Sequence, residues 1–357
     1  MRCELPAGHA ETLDGLFRAA KERRLAHALL FTGPEGVGKF LSAEWLACGL
    51  LCAAGPARPC GTCGPCKRLK AGTHADLLAI DPDLEGEEEI KIGRITYREK
   101  DPRTNVGDFL SLRPMEGGWR VVLVRDAERM TDEAQNALLK TLEEPGEETL
   151  LALVAARPEN LLPTTRSRCV VVALGPIDFE STVRILAARG VEPAMARDLA
   201  RWSRGAPGGA LALRDRGAIA MRAGIQRVLA GELAPLAAAA AVGELDGEFP
   251  GRTPSARARA RARAFLDLLL AVLADLARAE AGADPATLAH GDLASAERGR
   301  AGAARSAQRL ELCLSARQDV EANLAPDAIL ERALLALEPE RTRAPRRGAG
   351  IQAARST

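Results

Sequence analysis

Two short stretches place residues at spacings that chemistry uses. The first is Gly33-Pro-Glu-Gly36-Val-Gly38-Lys39. Glycines at 33, 36 and 38 let backbone N–H groups curl around phosphate oxygens, and Lys39 would reach the β- and γ-phosphates of a nucleotide. The second is Cys52-x7-Cys60-x2-Cys63-x2-Cys66. Four thiolates in one short loop suit Zn²⁺, which takes four tetrahedral ligands, and Gly61, Gly64 and Pro65 supply turns between them. Cys52, Cys60, Cys63 and Cys66 leave no coordination position open, so the expected zinc is structural. Disulfides and an iron–sulfur cluster are the alternatives. Cys48 competes as first ligand, but it falls within the preceding helical stretch. His74 lies outside the spacing and reads as structural.

The phosphate loop is incomplete. After its Lys the pattern requires Ser or Thr, whose hydroxyl holds Mg²⁺. Phe40 stands there, and Ser42 lies on another face of the helix. An active site of this kind also ends a buried strand with Asp then Glu, one for the metal and one for water. The strand Val121–Val124 ends instead in Arg125-Asp126. Both defects concern one ion. They argue against productive Mg-ATP hydrolysis and put ATP or ADP binding in doubt.

The elements around these motifs alternate. A helix over 12–25 precedes a strand at His27–Thr32, the loop, and a helix from Phe40 to Leu51. Strands follow at 76–81, 120–124, 149–156 and 169–174. Between them the pattern predicts a short helix at 106–112, a helix from Asp132 to Glu144 capped by Thr131, and a helix or turn at 163–168. Residues 82–105 read as a loop or exposed insertion, with Glu85–Glu89 solvated. Alternation over 1–175 implies an α/β domain with a mainly parallel sheet. From 178 the strands stop. Residues 178–215 read as a small helical domain, with a new helix beginning at Gly205-Ala-Pro-Gly-Gly209. Residues 218–338 read as helical, broken near 242–255 and 281–292, and the tail from Pro339 reads as disordered.

Composition bounds the function. The chain has 357 residues, 47% hydrophobic and 27% charged, with net charge +1. A disordered chain and a whole-surface nucleic-acid binder are excluded. Aromatics at 3% leave stacking no leading role. No apolar run reaches the roughly 20 residues of a membrane span, and the first residues lack a signal-peptide pattern, so the expected location is cytoplasmic. Arg257, Arg259, Arg261 and Arg263 spread around a helix, as a solvated helix start or as a contact for nucleic acid or a partner.

Five stretches together resemble a known family: Arg24–Lys39, the cysteine cluster, Gly117–Val124, Asp126–Pro145 and Ser167-Arg168-Cys169. They are similar to the AAA+ clamp-loader subunits of bacterial DNA polymerase III, above all the delta prime family, with tau/gamma as near relative. The resemblance covers about the first 215 residues. It implies an AAA+ domain over 1–175 with an inserted zinc module at 52–66. A helical lid at 176–216, a helical collar at 217–338 and a tail at 339–357 would follow.

It also implies that Arg168 acts in trans, as an arginine finger on a neighbouring subunit's ATP; the alternative is a surface ion pair. Ala155 and Ala156 stand where the family's ATPases carry a polar sensor, and Gly205–Gly208 where they carry a sensor arginine. The implied partners are tau/gamma and delta subunits in a ring of five, with the sliding clamp and primed DNA reached through the complex. No membrane is involved. The implied chain has little or no ATPase activity of its own. The rival readings are an ATP-hydrolysing tau/gamma-like subunit and a non-replicative zinc-containing adaptor. Cys169 reads as a buried small hydrophobe, and Glu143-Glu144 as the end of a structural helix with no acid–base role.

Overall fold

The computed structural model describes residues 5–99, 101, 103–116, 118–251, 253–297, 303–322 and 324–337. Five strands form one sheet: β1 (Ala28–Thr32), β2 (Leu77–Ile80), β3 (Arg120–Val124), β4 (Thr149–Val154) and β5 (Val170–Ala173). Their order is β2-β3-β4-β1-β5, and every pairing is parallel. Parallel strands are buried on both faces and so read as unbroken apolar runs. Arg120–Val124 and Thr149–Val154 are buried at every position.

Alternation then sorts these residues between two layers. Leu29, Phe31, Val121 and Leu123 pack with Leu13 and Phe17 of α1 (Ala10–Lys21) and Leu46 of α2 (Lys39–Leu50). Leu30, Val122 and Val124 pack on the other face with Leu138. Each fully buried Leu or Val contributes roughly 2 kcal/mol. Leu138 belongs to α6 (Asp132–Glu143), whose N-cap Thr131 accepts from the Ala134 N–H. The helices between are α3 (Gly64–Ala71), α4 (Pro82–Glu85) and α5 (Val106–Ser111). After β4 come α7 (Pro163–Arg166), α8 (Phe179–Ala188), α9 (Pro193–Trp202) and α10 (Pro207–Asp215).

Three expectations fail here. Residues 82–105 are not a loose insertion. Ile90 and Ile95 are buried in the core, Ile90 bridges Met130 in parallel, and Ile92–Arg94 form a 3₁₀ turn. Nor is the Glu85–Glu89 run wholly solvated, because Glu85 pairs with Arg94 at 2.7 Å and with Arg103 at 2.9 Å. The strand at 76–81 reads as buried in sequence, yet β2 is an edge strand, and within Leu77–Ile80 only Ile80 is buried.

The chain divides into two compact units, Met1–Ala212 and Leu213–Thr357. The second is helical: α11 (Ala218–Leu229), α12 (Pro235–Gly243), α13 (Pro254–Glu280), α14 (Gly291–Glu297), α15 (Ala303–Glu321) and α16 (Pro326–Leu335). Breaks fall near 244–253 and 281–290, and a further one at 230–234 ends on Pro235. Within this unit α13 packs against α14, α15 and α16. Its start carries the four arginines: Arg261 lies over the Phe249 ring at 5.2 Å and Arg259 donates to Ser255. Among the described residues no helix is long and apolar enough to cross a membrane. The expected disordered tail at 339–357 lies outside the described residues.

Candidate functional site

In an all-parallel sheet the strands end on one side, and ligand crevices form there. Gly33 follows β1, Asp81 follows β2, Arg125 follows β3 and Ala155 follows β4. The glycine loop has the shape its residues permit. φ is +138° at Gly33, +77° at Gly36 and +103° at Gly38. A Cβ is strained in that region, and Gly has none.

The loop is closed by the protein itself. Lys39 is buried, and its Nζ donates to the carbonyls of Gly33 and Pro34 at 2.9 Å each. Burial pushes its pKa down, and the nearby Glu128, Glu35 and Asp126 oppose that. From the first unit's last helix, the Gly208 N–H donates to the Gly36 carbonyl at 2.8 Å. A Cβ on Gly36 would lie 2.1 Å from the Gly209 nitrogen. Gly205–Gly208 thus brings helix backbone directly against the loop.

A phosphate loop of this type implies Mg²⁺, and the residues present do not fit it. Phe40 offers a ring and no oxygen. The Arg125 guanidinium sits over that ring, 5.3 Å from its centre. Arg125 also donates to Asp81 Oδ2 at 2.9 Å. Asp126 sits in left-handed backbone, φ +48°, with Oδ2 3.9 Å from Arg125 Nε. Ser42 is buried, and its Oγ has no hydrogen-bond partner. The sensor positions are apolar too: the Ala155 N–H serves the sheet, and the Ala156 N–H donates to Glu128 Oε1 at 2.9 Å.

The cysteine cluster converges. Cys52 follows α2, Cys63 caps α3, and Cys66 lies within α3. The four sulfurs lie within 4.8 Å of one another. Cys52–Cys63 is 3.9 Å and Cys60–Cys66 is 4.0 Å. A tetrahedron with Zn–S bonds of ~2.3 Å has edges of about 3.8 Å, so the donor set fits zinc. Backbone N–H groups already point at the sulfurs: those of Cys60, Cys63 and Cys66 donate to Cys52, Cys60 and Cys63. Hydrogen bonds from the Thr62 and Cys63 N–H groups hold the Cys60 thiol down at about 5, whereas burial pushes Cys66 up to about 12. Cys48 lies inside α2, outside this cluster. His74 is buried outside it as well, and its Nδ1 accepts from the Asp76 N–H.

Arg168 lies at the other end of the sheet. It precedes β5, which pairs in parallel with β1 in the register Leu29↔Val170 and Thr32↔Ala173. By that register Val170 lies four residues, or about 13 Å at a strand rise of ~3.3 Å, before the level of Gly33, and Arg168 sits in the turn that precedes Val170. The guanidinium is two-thirds covered, with 34% of the side chain exposed. Nε donates to Glu143 Oε1 at 2.8 Å, and a second nitrogen donates to the same oxygen. A third donates to the Thr164 carbonyl at 2.9 Å. Cys169 is half-buried, with its thiol pushed up to about 11 by burial. β5 is an edge strand, and Val170 and Val171 beside Arg168 are exposed.

Three contacts were not legible in the sequence: Asp81 under Arg125, Glu143 under Arg168, and Gly208 on Gly36. The signal for Asp81 was an acid closing an apolar strand. Nothing local marked the other two.

A glycine loop between β1 and α2, at the carboxyl end of an all-parallel sheet in this order, defines the P-loop α/β class. Within that class, residues 8–178 match the sequence model of the family described as "DNA polymerase III, delta subunit". Over residues 8–178 the chain is thus similar to that family, and it is similar as well to bacterial delta prime subunits. It is 39% identical over 221 residues to DNA polymerase III subunit delta' of Pseudomonas aeruginosa, covering 59% of this chain and 65% of that one. With subunit delta' of Bacillus subtilis it shares 34% over 188 residues, 53% of this chain and 54% of that one. With subunit tau/gamma of Haemophilus influenzae it shares 33% over 222 residues, 60% of this chain and 30% of that one. The matches thus span only about half to two thirds of the delta prime relatives.

Proposed function

We propose that this chain is a clamp-loader subunit of the delta prime type. It is a nonhydrolytic AAA+ stator that donates Arg168 to a neighbouring ATPase subunit while the sliding clamp is loaded on primed DNA. The supporting observation is the separation of Arg168 from its own loop. An arginine in the turn before β5, at the opposite end of that strand from the level of Gly33, is not placed to serve a phosphate held at its own loop. At the start of an edge strand it would be open to a phosphate held by an adjoining subunit. A guanidinium suits that task because it is planar, always charged and able to make paired hydrogen bonds.

In this reading residues 176–216 act as a lid, residues 217–338 as a collar that joins the ring, and the neighbours are tau/gamma and delta subunits in a ring of five. Cys52, Cys60, Cys63 and Cys66 hold a structural Zn²⁺. The metal would cross-link the end of α2 to the start of α3, and the chain's own N–H groups would steady the thiolates. The proposed location is the cytoplasm.

Reconstitution with tau/gamma and delta subunits tests the assignment. Arg168→Ala is expected to assemble normally and to lower hydrolysis at the adjoining site by about 10³-fold or more. An unchanged rate in an intact assembly removes the finger role.

A further inference from the structure

The residues at positions 40 and 125 are far apart in sequence, yet they meet. Arg125 lies 5.3 Å from the centre of the Phe40 ring, within the ~6 Å over which a cation is drawn to an aromatic face. The same guanidinium donates to Asp81 at 2.9 Å. Asp126 lies beyond at 3.9 Å from Arg125 and 4.0 Å from Arg129. Arg129 in turn pairs with Asp83 at 2.7 Å. Asp81, Asp83 and Asp126 therefore each face a guanidinium, whereas Glu128 accepts at Oε1 from the Ala156 and Arg157 N–H groups and keeps a buried Oε2 with no hydrogen-bond partner. A hard divalent cation needs oxygen ligands that it does not share with a fixed charge. It would have to displace Arg125 from both Asp81 and the ring.

We propose that Arg125, tied to Asp81 and stacked on Phe40, is a built-in cation that occupies the role a P-loop site gives to magnesium. The two substitutions act as one device. Arg125 excludes the metal by charge and by taking its carboxylate. Phe40 removes the metal's hydroxyl and supplies the surface that holds Arg125. This rests on the nonhydrolytic reading above and gives it a physical cause. It also makes a demand that separate decay of two motif positions would not make: neither position, restored alone, can bring magnesium back.

The test is binding of a fluorescent ATP analogue to the purified full chain, with and without Mg²⁺, for the unaltered protein, Phe40→Thr, Arg125→Asp and the pair. Mg²⁺ should change affinity less than about twofold in the unaltered chain and less than about threefold in either single variant. In the double variant it should tighten binding about tenfold or more. Thermal melting reports folding in each case. Arg125→Asp sets a new carboxylate beside Asp81. Should that pair unfold, Arg125→Asn with Phe40→Thr removes the guanidinium without adding charge, and the same gain is expected.

A folded double variant without the gain overturns the proposal. So does full recovery in Phe40→Thr alone, or Mg²⁺-dependent tightening in the unaltered chain. Release of phosphate from Mg-ATP by the unaltered chain is measured separately, and it would sink the nonhydrolytic reading instead.

Discussion

The cysteine cluster and the phosphate loop are both short, glycine-bearing stretches separated by α2, yet their chemistry is specified differently. The cluster draws all four donors from fifteen consecutive residues, Cys52 to Cys66, and its turns are made by residues between the donors. The phosphate loop is a frame whose function depends on groups brought from elsewhere. Asp81, Arg125, Ala155 and Gly208 arrive from four different elements and decide what the frame can hold. One region keeps a complete local donor set. The other keeps its backbone shape while the surrounding groups have closed it.

Removing metal probes the first region and should have the largest effect. Chelation, or Cys66→Ser, is expected to lower the melting temperature by about 10 °C or more, as for loss of several kcal/mol at roughly 2–4 °C per kcal/mol. One zinc per chain by elemental analysis is the companion result. A metal-free protein of unchanged stability would erase the contrast. The pH dependence has a definite sign. Metal binds thiolates, and burial holds the Cys66 proton to about 12 in the metal-free chain. Binding near neutrality therefore expels at least that proton, and zinc affinity should fall at least about tenfold per pH unit on acidification. Cys60, at about 5, is already a thiolate there and adds no such slope until more acidic pH.

Gly36→Ala probes the closed loop and should come second. It would set a Cβ in left-handed backbone and 2.1 Å from the Gly209 nitrogen. A loss of about 2–4 kcal/mol in denaturant unfolding is expected, the conformational strain supplying about 1–2 of it. A silent substitution would mean that the Gly208–Gly36 contact does not hold the loop shut.

Lys39→Ala should do least. It removes hydrogen bonds to two carbonyls but also relieves a buried charge, for a net loss of about 1 kcal/mol. ATPase activity of the assembled complex should not change. A large fall there would mean that this pocket still handles nucleotide, which would bring the two regions closer in kind.

Legibility followed the same division. The strands Arg120–Val124 and Thr149–Val154 and the cap at Thr131 announce themselves through continuous apolar runs and a single hydroxyl. The segment 82–105 does not. Its Ile90 and Ile95 are isolated among charges, and only the arrival of Met130 and α6 turns them into core. The strand at 76–81 looks as buried as the others in sequence; its place at the sheet edge is set by topology. Arg168 stands out by its motif, but its distance from Gly33 follows from the parallel register of β5 on β1.

The sequence by itself determined the glycine loop, the four-cysteine spacing, the missing hydroxyl and carboxylate, and the alternation of strands with helices. These are local properties, carried by side-chain period and by residue type at neighbouring positions. Only the tertiary structure decided that Phe40 and Arg125 touch, that Asp81 takes the guanidinium, and that helix backbone covers Gly36. It alone set Arg168 at the far end of the sheet. Such contacts depend on which strand lies beside which and in what register, and burial of the whole sheet settles that collectively.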